Sequence, residues 1–323
     1  MQRWIDYNNG VYAFCANYVR PLLAAIHLVV EKGRVALVDT GSNDALPHVL
    51  EALGRLGLGP EAVDYVILTH IHLDHAGGAG CLMQACPNAR LVVHPRGARH
   101  MAAPARLVDG VTAVYGADYV KRVYGEIVPV PAARIIHAVD GLTLDLAGRE
   151  LLCLDAPGHA RHHIAIVDRQ SKGVFTGDVF GLSYREMDTA GRPFIFPSTT
   201  PTQFEPDAMV ATIDRLLGYQ PESLYLTHYS RVGDVPALAR EMKRFIAAHC
   251  DIALANREAG TERHARIVAG LQKLLLDESR AFGCILPDAD LLALWETDLE
   301  LNAQGLEVWL DLEARGYPFP MNL

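Results

Sequence analysis

The sequence predicts an α/β fold, with a strand-rich part over 1–235 and an all-helical extension over 236–323. Three observations carry this expectation. Short apolar runs bounded by Gly, Pro and Asp alternate with segments of helical spacing as far as Val235. Beyond Pro236 the spacing is helical throughout, with no strand signal. Four of the apolar runs end on histidine or aspartate, the pattern of a sheet whose strand ends carry a site. At 323 residues the chain also exceeds one modal domain.

Taken in order, runs at 11–15, 26–30 and 35–39 read as strands, and Glu31-Lys32-Gly33 is a tight turn between the last two. Thr40-Gly41-Ser42 leaves the third strand. Leu46, Val49, Leu50, Leu53 and Leu56 are spaced for a helix over 45–58, closed by Gly57 and Gly59-Pro60. Tyr65-Val66-Ile67-Leu68 reads as a buried strand, a helix runs on from Leu82, and 90–94 is the next strand. Within 104–131, Tyr115, Tyr119 and Tyr124 fall at roughly helical spacing, which points to packing. Strands return at 135–139, 142–146, 151–155, 164–168 and 173–178. A long loop over 185–202, a helix over 204–217 and a strand over 223–228 follow. The extension reads as helices over 238–255, 262–282, 288–299 and 306–315, and its apolar positions, among them Leu271, Leu275, Leu291 and Trp295, suit docking on the core or a homodimer.

Half of the residues are apolar, enough for a sizeable core. The net charge of -9 and the lack of any basic run argue against nucleic acid as the main partner. Cys15, Cys81, Cys86, Cys153, Cys250 and Cys284 have no short regular spacing and read as reduced core thiols. The first residues do not form a secretory leader, and the apolar stretch 21–30 is too short to span a bilayer, so a cytoplasmic location and no membrane partner are expected.

Directly after the run at 65–68 comes Thr69-His70-Ile71-His72-Leu73-Asp74-His75-Ala76-Gly77-Gly78. Three imidazoles and a carboxylate within six residues combine neutral nitrogen with hard oxygen, a mixture suited to borderline divalent cations such as Zn2+. In an extended chain His70 and His72 point the same way, and a turn ending at Gly77-Gly78 brings Asp74 and His75 round beside them. Two ligands for each of two ions is the natural reading. More donors follow at strand ends: His159 after 151–155, Asp178 at the end of 173–178 and His228 at the end of 223–228. Packed core histidines and solvated aspartates explain any one of these residues and fail to explain the set.

This HxHxDH motif, followed by a distant His, Asp and His, resembles the metallo-β-lactamase-fold hydrolases over about 11–229. The resemblance implies an αββα sandwich, two packed sheets with helices outside. It also implies two divalent metal ions, zinc first with iron or manganese as alternatives. His70, His72 and His159 would hold one ion, Asp74, His75 and His228 the other, with Asp178 bridging them. Coordination lowers the pKa of water from about 16 to about 7. A hydroxide held between the ions would then attack an ester or thioester carbonyl of a small-molecule substrate, with Asp74 and Asp178 as the catalytic carboxylates. His75, and the absence of cysteine between His159 and Asp178, resemble the glyoxalase II type more than β-lactamases with a cysteine ligand. Glyoxalase II also carries a helical C-terminal extension.

Phe196 and Tyr229 are the first candidates for the wall of a substrate pocket, ahead of Tyr184, Phe194 and Arg231. His162 and His163 suit a supporting role and suit packing equally well, and His27, His94, His137, His249 and His264 are assigned none. Two other functions stay open: phosphodiesterase action on a small molecule, and a non-hydrolytic di-iron oxygen-binding, redox or regulatory protein.

Overall fold

In a computed structural model, which describes residues 4–316, the opening strands pair as an antiparallel meander. They are β1 (Trp4–Asp6), β2 (Val11–Cys15), β3 (Ala25–Glu31) and β4 (Arg34–Val38). A two-residue turn that matches the twist of its strands needs positive φ at both positions, and Lys32 (46°) and Gly33 (78°) supply it between β3 and β4. The sheet then grows by parallel strands, β5 (Val63–Ile67), β6 (Arg90–Val93) and β7 (Ile135–His137). Each parallel step needs a crossover. Helix α1 (Leu46–Arg55) supplies the first, α2 (Leu73–Ala76) and α3 (Ala79–Ala85) the second. The third is made by α4 (Pro95–Ala102), α5 (Ala105–Tyr115) and α6 (Ala117–Val123). The result is a seven-stranded sheet in sequence order.

A second, six-stranded sheet contains β8 (Thr143–Leu146), β9 (Arg149–Asp155), β10 (Ile164–Asp168), β11 (Gly173–Gly177), β12 (Ser223–Leu226) and β13 (Ser230–Val232). It is antiparallel except where β12 joins β11. Val29, Val38, Ile67 and Val92 of the first sheet share a buried cluster with Leu151, Ile164, Ile166 and Phe175 of the second, so the sheets face one another. On the far face of the first sheet, Leu28, Leu37, Val66 and Leu91 pack with Val49, Leu53, Leu82 and Met83 of α1 and α3. Alternation along the strands assigns one set of residues to each core. The chain is thus a mixed α/β sandwich, the fold class expected above, with helices on the outer face of its first sheet and further helices after its last strand.

The chain divides into two compact units. The first, 4–156, 162–177 and 220–233, contains everything so far described. The second comprises 157–161, 178–219 and 234–316, with α7 (Pro206–Leu217), α8 (Val235–Ala255), α9 (Arg263–Phe282) and α10 (Asp288–Ala314). Phe194, Phe196, Phe245, Phe282 and Trp295 form its aromatic core. In this unit α10 runs unbroken through the expected gap between 299 and 306. Asn302 and Gly305 suggest a break on local propensity, but both serve tertiary contacts. The Asn302 side chain accepts from the Thr199 amide (2.7 Å) and donates to the Pro197 carbonyl (3.1 Å). Gly305 lies so close to the Thr199 carbonyl that any Cβ would overlap it. Among the described residues, no helix is long and apolar enough to cross a membrane.

Candidate metal centre

Strands β4 and β5 run parallel, so their C-terminal ends share one edge of the first sheet, and the chain leaves them at Asp39 and Thr69. Asp39 is buried with φ of 60°, a conformation Asp and Asn tolerate better than most residues. Its carboxylate accepts from the Thr69 amide (2.8 Å), from the Thr69 hydroxyl (3.0 Å from both oxygens) and from the Thr227 hydroxyl (2.7 Å), just after β12. It also accepts from Nδ1 of His75 (2.8 Å). Thr40 adds its amide and hydroxyl to the His75 carbonyl, each at 2.7 Å. One carboxylate therefore ties the ends of β4, β5 and β12 to a histidine of the motif.

That tie decides what the ring presents. With Nδ1–H donated to Asp39, His75 offers the lone pair of Nε2, and His228 does likewise because its Nδ1 donates to the Leu23 carbonyl (2.7 Å). The two Nε2 atoms lie 3.3 Å apart, and Asp74 Oδ2 lies 3.4 Å from that of His75 and 3.3 Å from that of His228. A tetrahedral ion with bonds of about 2.0–2.1 Å has donor–donor edges about 1.6 times as long, close to 3.3 Å. The near-equilateral triangle fits such an ion, whereas neutral rings alone would set two lone pairs against each other. Burial pushes the Asp74 carboxyl up, but when His75 and His228 are protonated their charge and hydrogen bonds outweigh it and hold it well below the usual carboxylate range.

His70 and His72 stand beside this triangle, with His70 Nε2 and His72 Nδ1 2.9 Å apart. That separation subtends about 90° at an ion with bonds of about 2.0–2.1 Å. Thr69 Oγ1, 3.1 Å from His70 Nδ1, fixes the other side of the ring. His163 stacks on His70 (5.0 Å between centroids) and His162 meets His72 edge-on (5.7 Å), so both lie against the motif. In the second unit, His159 donates from Nδ1 to the Ser198 carbonyl (3.1 Å), and its Nε2 faces Asp178 Oδ2 at 3.6 Å. Each unit thus carries His and Asp donors in a form able to hold a cation.

Of the pocket candidates, Tyr229 packs with Cys15, Leu22 and Ala25, and Phe196 belongs to the aromatic core of the second unit. Both side chains are buried. Sequence reasoning missed Asp39 and Thr227, although Asp39 ends an apolar run just as His228 does. It also gave Tyr124 packing alone. The Tyr124 hydroxyl pairs with that of Tyr18 (2.6 Å), and burial together with the Asp74 carboxylate pushes both phenols up, so they stay protonated.

The Metallo-beta-lactamase superfamily profile matches residues 19–228. The chain belongs to this superfamily. A hydroxyacylglutathione hydrolase of Xanthomonas campestris pv. campestris is 31% identical over 185 residues, covering 57% of this chain and 54% of that protein. An acyl-coenzyme A thioesterase of Gallus gallus is 31% identical over 162 residues, 48% of this chain and 57% of that one. The chain thus spans just over half the length of these two relatives. A metallo-β-lactamase family protein of Thermus thermophilus shares the fold, with a TM-score of 0.66 at 22% identity over 95% of this chain and 94% of that one. This chain has the mixed α/β sandwich of the superfamily, with α9 and α10 added beyond it.

Proposed function

We propose that the protein is a binuclear metal-dependent hydrolase acting on an acyl ester or thioester. His70, His72 and His159 would hold one divalent cation and Asp74, His75 and His228 the other, with Asp178 as the shared ligand. The observation that carries this reading is the Asp74–His75–His228 triangle, whose edges suit one ion and whose ring tautomers are fixed from behind. Mixed N/O donors without thiolate suit Zn2+, with Fe2+ and Mn2+ accepted by the same set.

Chain connectivity supports assigning His159 and Asp178 to the same centre. The Ile164 amide at the start of β10 donates to the Thr69 carbonyl (2.7 Å), and the Ala156 amide donates to the His163 carbonyl (3.0 Å), so the loop carrying His159 leaves and returns beside the motif. Gly177, the residue before Asp178, packs so closely on Thr69 and His163 that a side chain there would collide with both.

When bound, the cations supply Lewis acidity and bring the pKa of a water to about 7. The chain supplies the rest. Asp74, ionised at neutral pH, would help hold a cation with His75 and His228 and would orient a nucleophilic water by accepting its hydrogen bond. Asp39 and the Leu23 and Ser198 carbonyls keep three rings from rotating. Tyr229, next to His228, and Phe196, two residues from Ser198, buttress the ligand-bearing segments from their buried positions. The names of the two relatives, a hydroxyacylglutathione hydrolase and an acyl-coenzyme A thioesterase, favour a thioester.

The test is elemental analysis combined with an acyl-thioester panel on the wild type and Asp178→Ala. About two ions per chain and a loss of at least about 100-fold in kcat/KM are expected. Equal rates in the two proteins would sink the assignment, and hydrolysis of bis-(p-nitrophenyl) phosphate without thioester turnover would replace it with a phosphodiesterase.

A further inference from the structure

One face of α10 runs along the segment 184–204 of the second unit. Trp295, Asp298, Asn302, Gly305 and Trp309 recur at three- and four-residue steps, so they share a side of the helix. Trp295 stands edge-on to Phe196 (6.3 Å between centroids), Asp298 accepts from the Tyr184 hydroxyl (2.9 Å), and Trp309 meets Phe204 edge-on (6.4 Å). This segment contains the long loop 185–202, and loops of that length inside compact domains are often functional.

Asn302 lies in the middle of that face. Its side chain accepts from the Thr199 amide (2.7 Å) and donates to the Pro197 carbonyl (3.1 Å), and its backbone carbonyl accepts from the Thr199 hydroxyl (3.0 Å). These bonds bracket Ser198. The Thr199 N–H and the Ser198 carbonyl belong to one peptide group, which is planar and, when trans, points the two in opposite directions. Asn302 therefore grips one side of a plane whose other side accepts from His159 Nδ1 (3.1 Å). Asn302, Thr199, Ser198 and His159 are all buried, and hydrogen bonds linked in this way polarise one another, so a bonded N–H makes the carbonyl a better acceptor. With Nδ1–H donated, the ring presents the Nε2 lone pair on the side where Asp178 Oδ2 lies, 3.6 Å away. The backbone around His159 has anchors of its own. The Glu205 amide donates to the Gly158 carbonyl (2.8 Å), the Arg161 amide donates to Gln203 Oε1 (2.8 Å), and Gly158 lies against Met209 of α7. Loss of Asn302 thus frees the ring while its loop stays in place.

We propose that Asn302 is a positioning residue of the metal centre. By fixing the Ser198–Thr199 peptide it fixes the tautomer and plane of the His159 ring, so the helical extension carries part of the affinity for the ion that His159 would hold. The proposal rests on the metal assignment above and adds to it a role for α10. His75 and His228 take their support from Asp39 and the Leu23 carbonyl instead, so the two ions should respond to different residues.

Chelator competition on the full chain reads the two affinities separately, and His159→Gln identifies which of them belongs to the ion beside His159. In Asn302→Ala that affinity should fall about tenfold, the lower end for a partner behind a ligand, while the other stays within about twofold. Gly305→Ala, whose Cβ would push Thr199 away from Asn302, should act in the same direction and carries the test should Asn302→Ala fail to fold. Leu271→Ala hollows the core beside α9 and should leave both affinities unchanged, which separates positioning from lost stability. An unchanged affinity in Asn302→Ala, or a fall shared by both ions or by Leu271→Ala, overturns the proposal. NMR of the histidine ring nitrogens in the apo protein gives a readout that needs neither metal nor turnover. His159, assigned by its loss in His159→Gln, should carry its proton on Nδ1 in the wild type and mix tautomers in Asn302→Ala; an unchanged His159 signal overturns the proposal. If the wild type binds no metal, the hydrolase reading falls, and these spectra still decide whether Asn302 sets the His159 ring.

Discussion

Replacing Asp39 by asparagine should uncouple metal binding from folding. One carboxylate oxygen accepts from the Thr69 amide, and the other accepts from His75 Nδ1 and the Thr227 hydroxyl. An asparagine must place its carbonyl at one of these positions and its NH2 at the other. The backbone amide of Thr69 can only donate, so the carbonyl goes there and the NH2 faces His75 and Thr227. A hydroxyl adapts by accepting, but an imidazole adapts only by moving its proton to Nε2, the atom aimed at Asp74 and His228. A protonated Nε2 cannot bind a metal. Loss of an outer-shell partner typically weakens metal binding 10–100-fold, and here the upper end, about 100-fold or about 2.7 kcal/mol, is expected. The fold suffers less, because asparagine also tolerates positive φ and the carbonyl still accepts from Thr69. Weakening three charge-assisted bonds to neutral ones costs about 2 kcal/mol. Asp39→Ala instead strands those buried donors at about 1–3 kcal/mol each, and should fail to fold stably. Chelator competition measures the first quantity and urea unfolding of the apo protein the second. An Asp39→Asn protein that binds two ions with wild-type affinity would refute the tautomer argument.

Asn302→Ala leaves the Thr199 amide and Pro197 carbonyl without their partner and should lower stability by about 2–4 kcal/mol in urea. Gly305→Ala gains about 1 kcal/mol of helix propensity, so a net loss of about 1–3 kcal/mol in the same assay would show that close approach to Thr199 governs the position. Burial lowers His27 and His249 to about 4, against about 6.5 in the unfolded chain. The unfolded chain therefore takes up protons first, and stability should fall as pH drops from about 6.5 to about 4 and then level off. Each group contributes on the order of 3 kcal/mol to that fall. Unfolding of the chelated protein at several pH values should show the loss, and His249→Leu should make it shallower.

The donor set was legible because three histidines and a carboxylate crowd into six residues and the others end apolar runs, where one edge of a sheet gathers them. Asp39 was not, although it also ends a strand. Its meaning depends on positions 39, 69 and 227 meeting, and nothing local distinguishes it from an aspartate that starts a turn. The β3–β4 hairpin was readable since Lys32-Gly33 meets a purely local demand. In α10, Asn302 and Gly305 oppose a helix on local propensity and are kept by partners about a hundred residues earlier in the chain, so the expected break did not occur.

The knot at Asp39 also bears on how such a protein is assembled. In small zinc modules the ion supplies the folding energy, and the chain collapses without it. Here a carboxylate and two threonine hydroxyls tie three strand ends together, and protein acceptors set the ring tautomers. The hydrogen bonds behind the donors therefore share with any cation the work of holding this edge of the sheet. Which ion the donors take is then a question of supply and donor chemistry.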